Sequence, residues 1–500
     1  MNKQVYNPFL PDDVYIPDGE PHVFGNRIYL FGSHDMEGGE SFCMLDYEGW
    51  SAPIDDLSAW ESAGTIYSAK QDPLYSEERP YMYAPDVVKG NDGRFYLYYC
   101  LAGWKGNGGY DGPISVAVSD EPNGKYEYWG FVKNIDGTPF NECVVFDPAL
   151  INDNGTIRLY IGTSLPWGWN ISALNRPLTA GIASGMYHRP KSEFKPNSNP
   201  LGAYMVELEE DMLTVRGQAK NILSNKSLIS SFKGHAFFEG ASIRKIEDTY
   251  YFIFSSQKNH ELCYATSKYP DRDFVYGGTI ISTGDVGIDG RKEKDRLNVT
   301  GTTHGSIECI DGQWYVFYHR LSHGTDYSRQ ACAEPITIEK DGTIKQVEVS
   351  SCGLNGGPLE INGSIPATKA CIITNGHMPH ISNQKCKKAI PMVTHNDKEH
   401  FVTNIENDTI IGFKKLNYRS SKVSINLVYR GSGNGKIYFY HDIEEEPIGM
   451  MEYSDALEWN VVGTELTVKI GIESLYLVFK GTGKLEVLDL RFIKENACIT

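Results

Sequence analysis

The chain has 500 residues, with 47 Lys and Arg against 64 Asp and Glu, giving a formal net charge of −17 and no basic run. That balance argues against nucleic acid or an anionic membrane as partner and describes an acidic surface with a margin for cation binding. Hydrophobic residues make up 41%, enough for the cores of two or three domains, and 31 Tyr, 21 Phe and 50 Gly favour strands with tight turns over helix bundles.

The N-terminus, MNKQVYNPFLPDD, has no apolar stretch of signal-peptide length, and no later run approaches a membrane span. The ten cysteines are scattered, with no CxxC pair and no Cys/His zinc spacing. Unpaired thiols and a cytoplasmic location are the expectation.

Five segments follow that share one pattern. They are Asp18 in PDGEPHVFGNRIYLFGSHD, Asp86 in PDVVKGNDGRFYLYY, Asp147 in DPALINDNGTIRLYIG, Glu239 in EGASIRKIEDTYYFIFSS and His304 in HGSIECIDGQWYVFYHR. The polar residue stands 10 to 12 positions before Tyr29, Tyr96, Arg158, Tyr251 and Tyr315. Each unit reads as a strand, a turn of Gly, Asn or Asp, and a second strand of aromatic and β-branched residues. Copies roughly 60 to 90 residues apart are too long for single hairpins but suit four-stranded blades with decorated loops. Blades arranged about an axis bring equivalent inner-strand positions together, so four carboxylates and a histidine are expected to converge.

Pocket residues are expected at strand ends and in the loops beyond them. His34 and Asp35 close the first unit as FGSHD, and Arg320 closes the fifth as FYHR. Trp104 in AGWKGNGGYDG and Trp167 and Trp169 in LPWGWN offer aromatic faces on which sugar rings stack. The hairpin EPITIEKDGTIKQVEV ends the repeats, and the N-terminal VYNPFL region is the candidate for completing the last blade. GLNGGPLEINGSIPATKA reads as a linker. Beyond it, KVSINLVYRGSGNGKIYFYHD and SLYLVFKGTGKLEVLDLRFIK are alternating strands with the pattern of a β-sandwich. The fold expected is therefore all-β: a five-bladed propeller over residues 1–360 and a sandwich over 361–500.

The repeated carboxylates suit glycoside hydrolysis, which needs a proton donor for the leaving oxygen and a second carboxylate on the far face of the sugar. Asp18, short and beside Gly19, suits an ionised general base. Glu239 follows Phe237 and Phe238, and apolar surroundings raise a carboxyl pKa, which suits a general acid. Asp147 is placed to orient the acid and raise its pKa by like-charge repulsion. Asp86 is in phase but equally suits hydrogen bonding within its hairpin, and it is left out of the catalytic set. His304 reads as a structural histidine, a substrate contact or a ligand to an axial ion. The chemistry requires no cofactor, and a structural calcium on the axis, held largely through water, is compatible with the pattern.

The phrases IPDGEPHVFGNRIYLFGSHD, YMYAPDVVKGNDGRFYLYY, VFDPALINDNG, FFEGASIRK and GTTHGSI with WYVFYHR resemble glycoside hydrolase family 43. The resemblance implies five-bladed propellers acting on arabinose- and xylose-containing saccharides with inversion. It implies Asp18 as general base, Asp147 as pKa modulator and orienter, and Glu239 as general acid. His304 matches a central histidine often associated with calcium in that family. The family's usual Asp-Pro around the base is here Asp18-Gly19, and Arg158 replaces the aromatic of the third repeat. The C-terminal region resembles a family-6 carbohydrate-binding module through SLYLVFKGTGKLEVLDLRF. The activity expected is an exo-acting, inverting α-L-arabinofuranosidase on oligosaccharides. The alternatives are a β-xylosidase, another furanosidase such as a galactofuranosidase, or a saccharide-binding propeller without catalysis.

Overall fold

The second strand of the second repeat, Phe95–Ala102 (FYLYYCLA), is buried along its whole length. A strand can be buried on both faces only if its sheet is covered on both sides, and neighbouring blades of a propeller supply that cover. The computed structural model describes residues 4–493 apart from 167–170, 173, 197 and 225–230. Four antiparallel four-stranded sheets and one three-stranded sheet carry the repeats. The first sheet holds β1 (Glu20–Phe24), β2 (Arg27–Phe31), β3 (Tyr47–Pro53) and β4 (Glu61–Tyr67), and the second β5 (Tyr81–Lys89), β6 (Phe95–Ala102), β7 (Ser115–Ser119) and β8 (Glu127–Phe131). The third is β9 (Ala149–Asp153), β10 (Thr156–Thr163), β11 (Gly202–Leu208) and β12 (Val215–Ser224). A helix, α1 (Arg176–Tyr187), interrupts it between β10 and β11. The fourth is β13 (Phe237–Ile246), β14 (Thr249–Ser256), β15 (Glu261–Ser267) and β16 (Val275–Ser282), and the fifth β17 (Ser306–Ile310), β18 (Gln313–Leu321) and β19 (Arg329–Ile336).

The first strands touch in cyclic order, β1 with β5, β5 with β9, β9 with β13, β13 with β17 and β17 with β1. The ring is closed, and the protein is a five-bladed propeller. The N-terminal segment lies along the open edge of β19 without forming a full strand. Phe9 N–H donates to Ala331 O at 3.2 Å, and the Asn7 side chain exchanges hydrogen bonds with both backbone groups of Ala333 at 2.8 and 3.1 Å. Pro8 lacks the N–H a ladder would need there, and the Asn7 amide substitutes for the missing backbone pair.

The sandwich contains two six-stranded sheets. One holds β20 (Leu359–Glu360), β22 (Ile372–Thr374), β25 (Ile410–Tyr418), β27 (Gly435–Tyr440), β28 (Gly449–Tyr453) and β30 (Gly471–Gly481). The other holds β21 (Gly363–Pro366), β23 (Met392–His395), β24 (His400–Ile405), β26 (Lys422–Gly431), β29 (Ala456–Thr467) and β31 (Leu485–Ile493). Phe413, Ile437, Leu477, Leu427, Val487 and Leu490 share one core between them. The Gly- and Pro-rich stretch read as a linker is not free chain: β20 pairs with β25 and β21 with β31, so it is woven into both sheets.

Polar groups fasten the sandwich to the propeller. Asn298 receives the Ile373 N–H and donates to Cys371 O. Lys414 on β25, itself buried, reaches Asp285 at 2.7 Å and Glu348 at 2.8 Å. Asp285 is fully buried and also accepts the Val349 N–H. Burial raises its carboxyl and Lys414 opposes that rise. Lys414→Met should therefore cost about 3–5 kcal/mol at neutral pH by stranding a buried carboxylate. The deficit against the parent, read from urea unfolding midpoints, should shrink as pH falls and Asp285 takes up a proton.

Candidate active site

Strand register decides which residues share a level of the axis. His22, Val88, Ile151, Arg244 and Glu308 stand opposite Tyr29, Tyr96, Arg158, Tyr251 and Tyr315. Side chains on a strand repeat with period two, so steps of two residues back along each first strand define further levels. The first such level is Glu20, Asp86, Ala149, Ser242 and Ser306, and the next is Asp18, Ala84, Asp147, Gly240 and His304. Asp86 is thus equivalent to Glu20, and the true counterpart of Asp18 in the second blade is Ala84. Glu239 precedes its level by one residue. A register irregularity on either side of the Glu239–Ser255 pair, with Gly240 at φ +72°, makes a bulge there that displaces Glu239 from strict alternation.

The level of Glu20 is a sealed floor. Ser242 Oγ meets Ser306 Oγ at 2.6 Å and donates to Glu20 at 3.2 Å, and Arg244 Nη2 also reaches Glu20 at 3.2 Å. Asp86 accepts His22 Nε2–H and Leu150 N–H, each at 2.6 Å. Burial and the charge of Asp86 push Glu20 up to about 8, with Arg244 opposing.

The level of Asp18 opens into a cavity of about 1120 Å³, lined by Asp18, Asp147, Glu239, His304 and Arg329 among others. Asp18 and Asp147 hold left-handed backbone at φ +57° and +46°, a conformation that costs non-glycine residues about 1–3 kcal/mol. Burial alone would raise the Asp18 carboxyl, but Arg329 outweighs it and holds it below the ordinary range. Arg329 Nη1 donates to Asp18 at 2.8 Å, while Nε and Nη2 grip both oxygens of Asp35 at 2.8 and 3.0 Å. His319 Nδ1 accepts the Asp18 N–H at 3.3 Å and Nε2 donates to Thr302 O at 2.8 Å, the pattern of a neutral ring. Burial, reinforced by Arg329, pushes that ring down to about 3.

Asp147 and Glu239 go the other way. Burial first and Asp18 second raise Asp147 well above its usual value, although Gly240 N–H donates to it at 2.9 Å. Burial, then Asp147, then Asp18 raise Glu239 well above its own. One cavity therefore holds a carboxylate kept charged beside a pair of carboxyls of raised proton affinity. Gly240 packs under the His304 ring, where an added Cβ would lie 3.2 Å from Cδ2 and Cγ. His304 Nε2 is buried with no hydrogen-bond partner among the described residues.

Several expected pocket residues lie elsewhere. His34 faces away from the cavity, with Nδ1 against Asp46 O at 2.9 Å. Asp35, its neighbour on the opposite face, sits behind Arg329 and is sealed from the cavity. Arg320 points toward the sandwich and donates to Ala370 O at 2.8 Å. Trp104 is half exposed on the rim, while Lys105, Gly106, Asn107 and Gly108 beside it line the cavity. Trp167 and Trp169 fall outside the described residues.

Sequence reasoning missed three contributors. Arg329 opens β19, a third strand, where the repeat has no marked position. Ile182, Gly185 and Met186 bring α1 to the cavity wall. His380, Ser382 and Asn383, which follow β22, also line the cavity. Their segment is held by Thr300 N–H to Pro379 O, Ile381 N–H to Thr300 O and Asn383 N–H to Asp326.

A closed five-bladed ring with three carboxylates in its axial cavity defines a class of glycoside-cleaving propellers. The model of glycosyl hydrolases family 43 matches residues 7–175 and 187–344, and the chain belongs to that family. It is 38% identical to a "Xylosidase/arabinosidase" of Thermoclostridium stercorarium, over 97% of this chain and 98% of the relative. It is 24% identical to an "Arabinoxylan arabinofuranohydrolase" of Paenibacillus polymyxa, over 94% of this chain and 71% of the relative. Among solved structures, it is similar to a family 43 β-xylosidase/α-arabinofuranosidase from a compost metagenome, described as a xylotriose complex in a calcium-free form. That likeness has 25% identity and a TM-score of 0.51, covering 70% of this chain and 98% of the other.

Arg329→Met should leave Asp18 and Asp35 without their shared cation and cost about 3–5 kcal/mol at neutral pH. The wild-type pair contributes stability above the ordinary carboxylate range and loses it as pH falls through the depressed Asp18 value. The gap between variant and parent in chemical unfolding should therefore narrow toward acid pH.

Proposed function

We propose that this glycoside hydrolase is an exo-acting, inverting α-L-arabinofuranosidase. The observation that carries the mechanism is that one cavity holds Asp18, whose proton affinity Arg329 lowers, and Glu239, whose proton affinity burial and the neighbouring carboxylates raise. Glu239 delivers its proton to the glycosidic oxygen as the bond to the anomeric carbon breaks. Asp18 takes a proton from the water that attacks the opposite face, so the product has inverted configuration. Asp147, bound to the Gly240 N–H, fixes the bulge that presents Glu239 and keeps its proton on by like charge. Inversion requires the Asp18 and Glu239 carboxyls to be about 6.5–9.5 Å apart, leaving room for the water.

Exo action is supported by the mouth of the cavity. Asn383 Nδ2 donates to Lys105 O at 3.1 Å, and this bridge between loops favours a chain end over a continuous chain. Arabinofuranosides are favoured by the names of the relatives, and a β-xylosidase is the second reading because the Thermoclostridium relative is named for both activities. A calcium ion fits His304 only with water as most of its shell, since no trio of His, Cys or carboxylate ligand atoms forms around His304 among the described residues. His304 Nε2 would be its protein contact, and the ion would supply fixed positive charge near the axis.

Rates on nitrophenyl arabinofuranoside, xylopyranoside and galactofuranoside decide the sugar, with the arabinofuranoside expected to be fastest by more than about tenfold, equivalent to roughly 1.4 kcal/mol. NMR of the first-formed anomer should show inversion. Glu239→Ala should lose roughly 10²–10⁴-fold on a substrate with a poor leaving group and much less on a nitrophenyl glycoside. Asp18→Ala should harm both substrates alike and recover in part with azide. Equal leaving-group dependence in the two variants would remove the acid and base assignments. In Arg329→Met the acid limb of kcat/KM should move to higher pH, because Asp18 then needs less acid to become protonated.

A further inference from the structure

A cluster away from the cavity has the chemistry of a metal centre. Glu37 lies on the loop after β2, and His395 and His400 end the paired strands β23 and β24, directly opposite one another. Their rings stack at 5.3 Å and 21°. His400 Nε2 is 3.2 Å and His395 Nε2 3.7 Å from the same oxygen, Glu37 Oε1. The three ligand atoms lie within 4.8 Å of one another. A tetrahedral ion with ligands at about 2.0–2.1 Å has edges of roughly 3.4 Å, so these separations need little adjustment.

The surroundings fix the carboxylate as an outer shell would. Tyr15 O–H donates to Glu37 Oε1 at 2.7 Å, and His323 Nε2 lies 3.5 Å from it. The His323 tautomer follows from its neighbours. Gln330 Nε2 donates to Asp12 O, so Gln330 Oε1 faces Ser322 and accepts its hydroxyl proton at 2.6 Å. Ser322 Oγ must then accept from His323 Nδ1–H at 2.9 Å, which leaves His323 Nε2 with a free lone pair beside Tyr15 and Glu37.

We propose that Glu37, His395 and His400 bind a zinc-class divalent ion, with water in the fourth position and Tyr15 orienting the carboxylate. The ion joins the propeller to the sandwich. Glu37 belongs to the loop that also carries Asp35, the anchor of Arg329, and Phe42 of the cavity wall. Binding therefore steadies one side of the active site from a distance. This inference does not depend on which sugar the cavity takes or on any ion at His304.

The full chain, stripped with chelator, dialysed against micromolar zinc and desalted, should retain one zinc per chain by elemental analysis. Its melting temperature should rise by a few degrees on zinc and fall again on chelation. Cobalt in place of zinc should give the strong visible bands of a tetrahedral site. The double variant His395→Gln/His400→Gln should keep its far-ultraviolet dichroism and lose all three responses, and Glu37→Gln should weaken zinc retention at least tenfold. Clearly substoichiometric zinc in the parent, only the weak octahedral cobalt spectrum, or equal zinc retention by the double variant would overturn the proposal. Should the double variant fail to fold, the parent's stoichiometry and cobalt spectrum decide the matter alone.

Discussion

Asp18, Asp147 and Glu239 share one cavity, and a buried ionised carboxylate among them is stable only beside a cation. Arg329 provides it. Its guanidinium lies between Asp18 and Asp35, stacks over the Phe42 ring at 4.9 Å and is itself sealed from solvent. A lysine could not make the same three bonds, because the fork that grips both Asp35 oxygens is planar and rigid. With the charge of Asp18 neutralised by contact, the strain at its left-handed backbone can be borne. Burial first, and the negative field of the neighbouring carboxylates second, raise the proton affinity of Asp147 and Glu239.

The propeller makes this possible by sorting charge into levels. At the floor, Arg244 and His22 meet Glu20 and Asp86, so that level is closed by its own pairs. At the level above, Ala84 and Gly240 occupy two of the five positions and carry no charge. Their small size leaves the room into which Asp18, Asp147 and Glu239 project. Repetition supplies the geometry, and departures from repetition supply the pocket.

Much of this was readable from the chain itself. The five-fold recurrence of a polar residue before an aromatic strand gave the blades, and Asp18, Asp147 and His304 were placed at their common level. The recurrence does not separate levels two residues apart, so it puts Asp86 in phase with Asp18 although Asp86 belongs with Glu20. A spacing of 10 to 12 absorbs both a step of two and the bulge at Glu239. Arg320 stands at a strand end, as a pocket residue would, yet alternation at that end turns it toward Ala370 on the sandwich side. Arg329 carried no periodic signal, because its position depends on how the third strand of the last blade meets the loop holding Asp35. The Gly- and Pro-rich stretch near 360 had the composition of a linker. Only pairing with distant strands, which local composition does not encode, shows that it is sheet.

His380, Ser382 and Asn383 stand in the cavity although they follow β22, a partner of β25 in the sandwich. The family match ends at residue 344, so part of the binding surface lies outside the inherited catalytic unit. Comparison of catalytic units alone is blind to that wall. Two relatives with the same propeller and different appended sheets can face the same sugar with different outer contacts. Swapping the appended region between them would then transplant selectivity together with attachment, because in this chain the two are built from the same stretch of polypeptide.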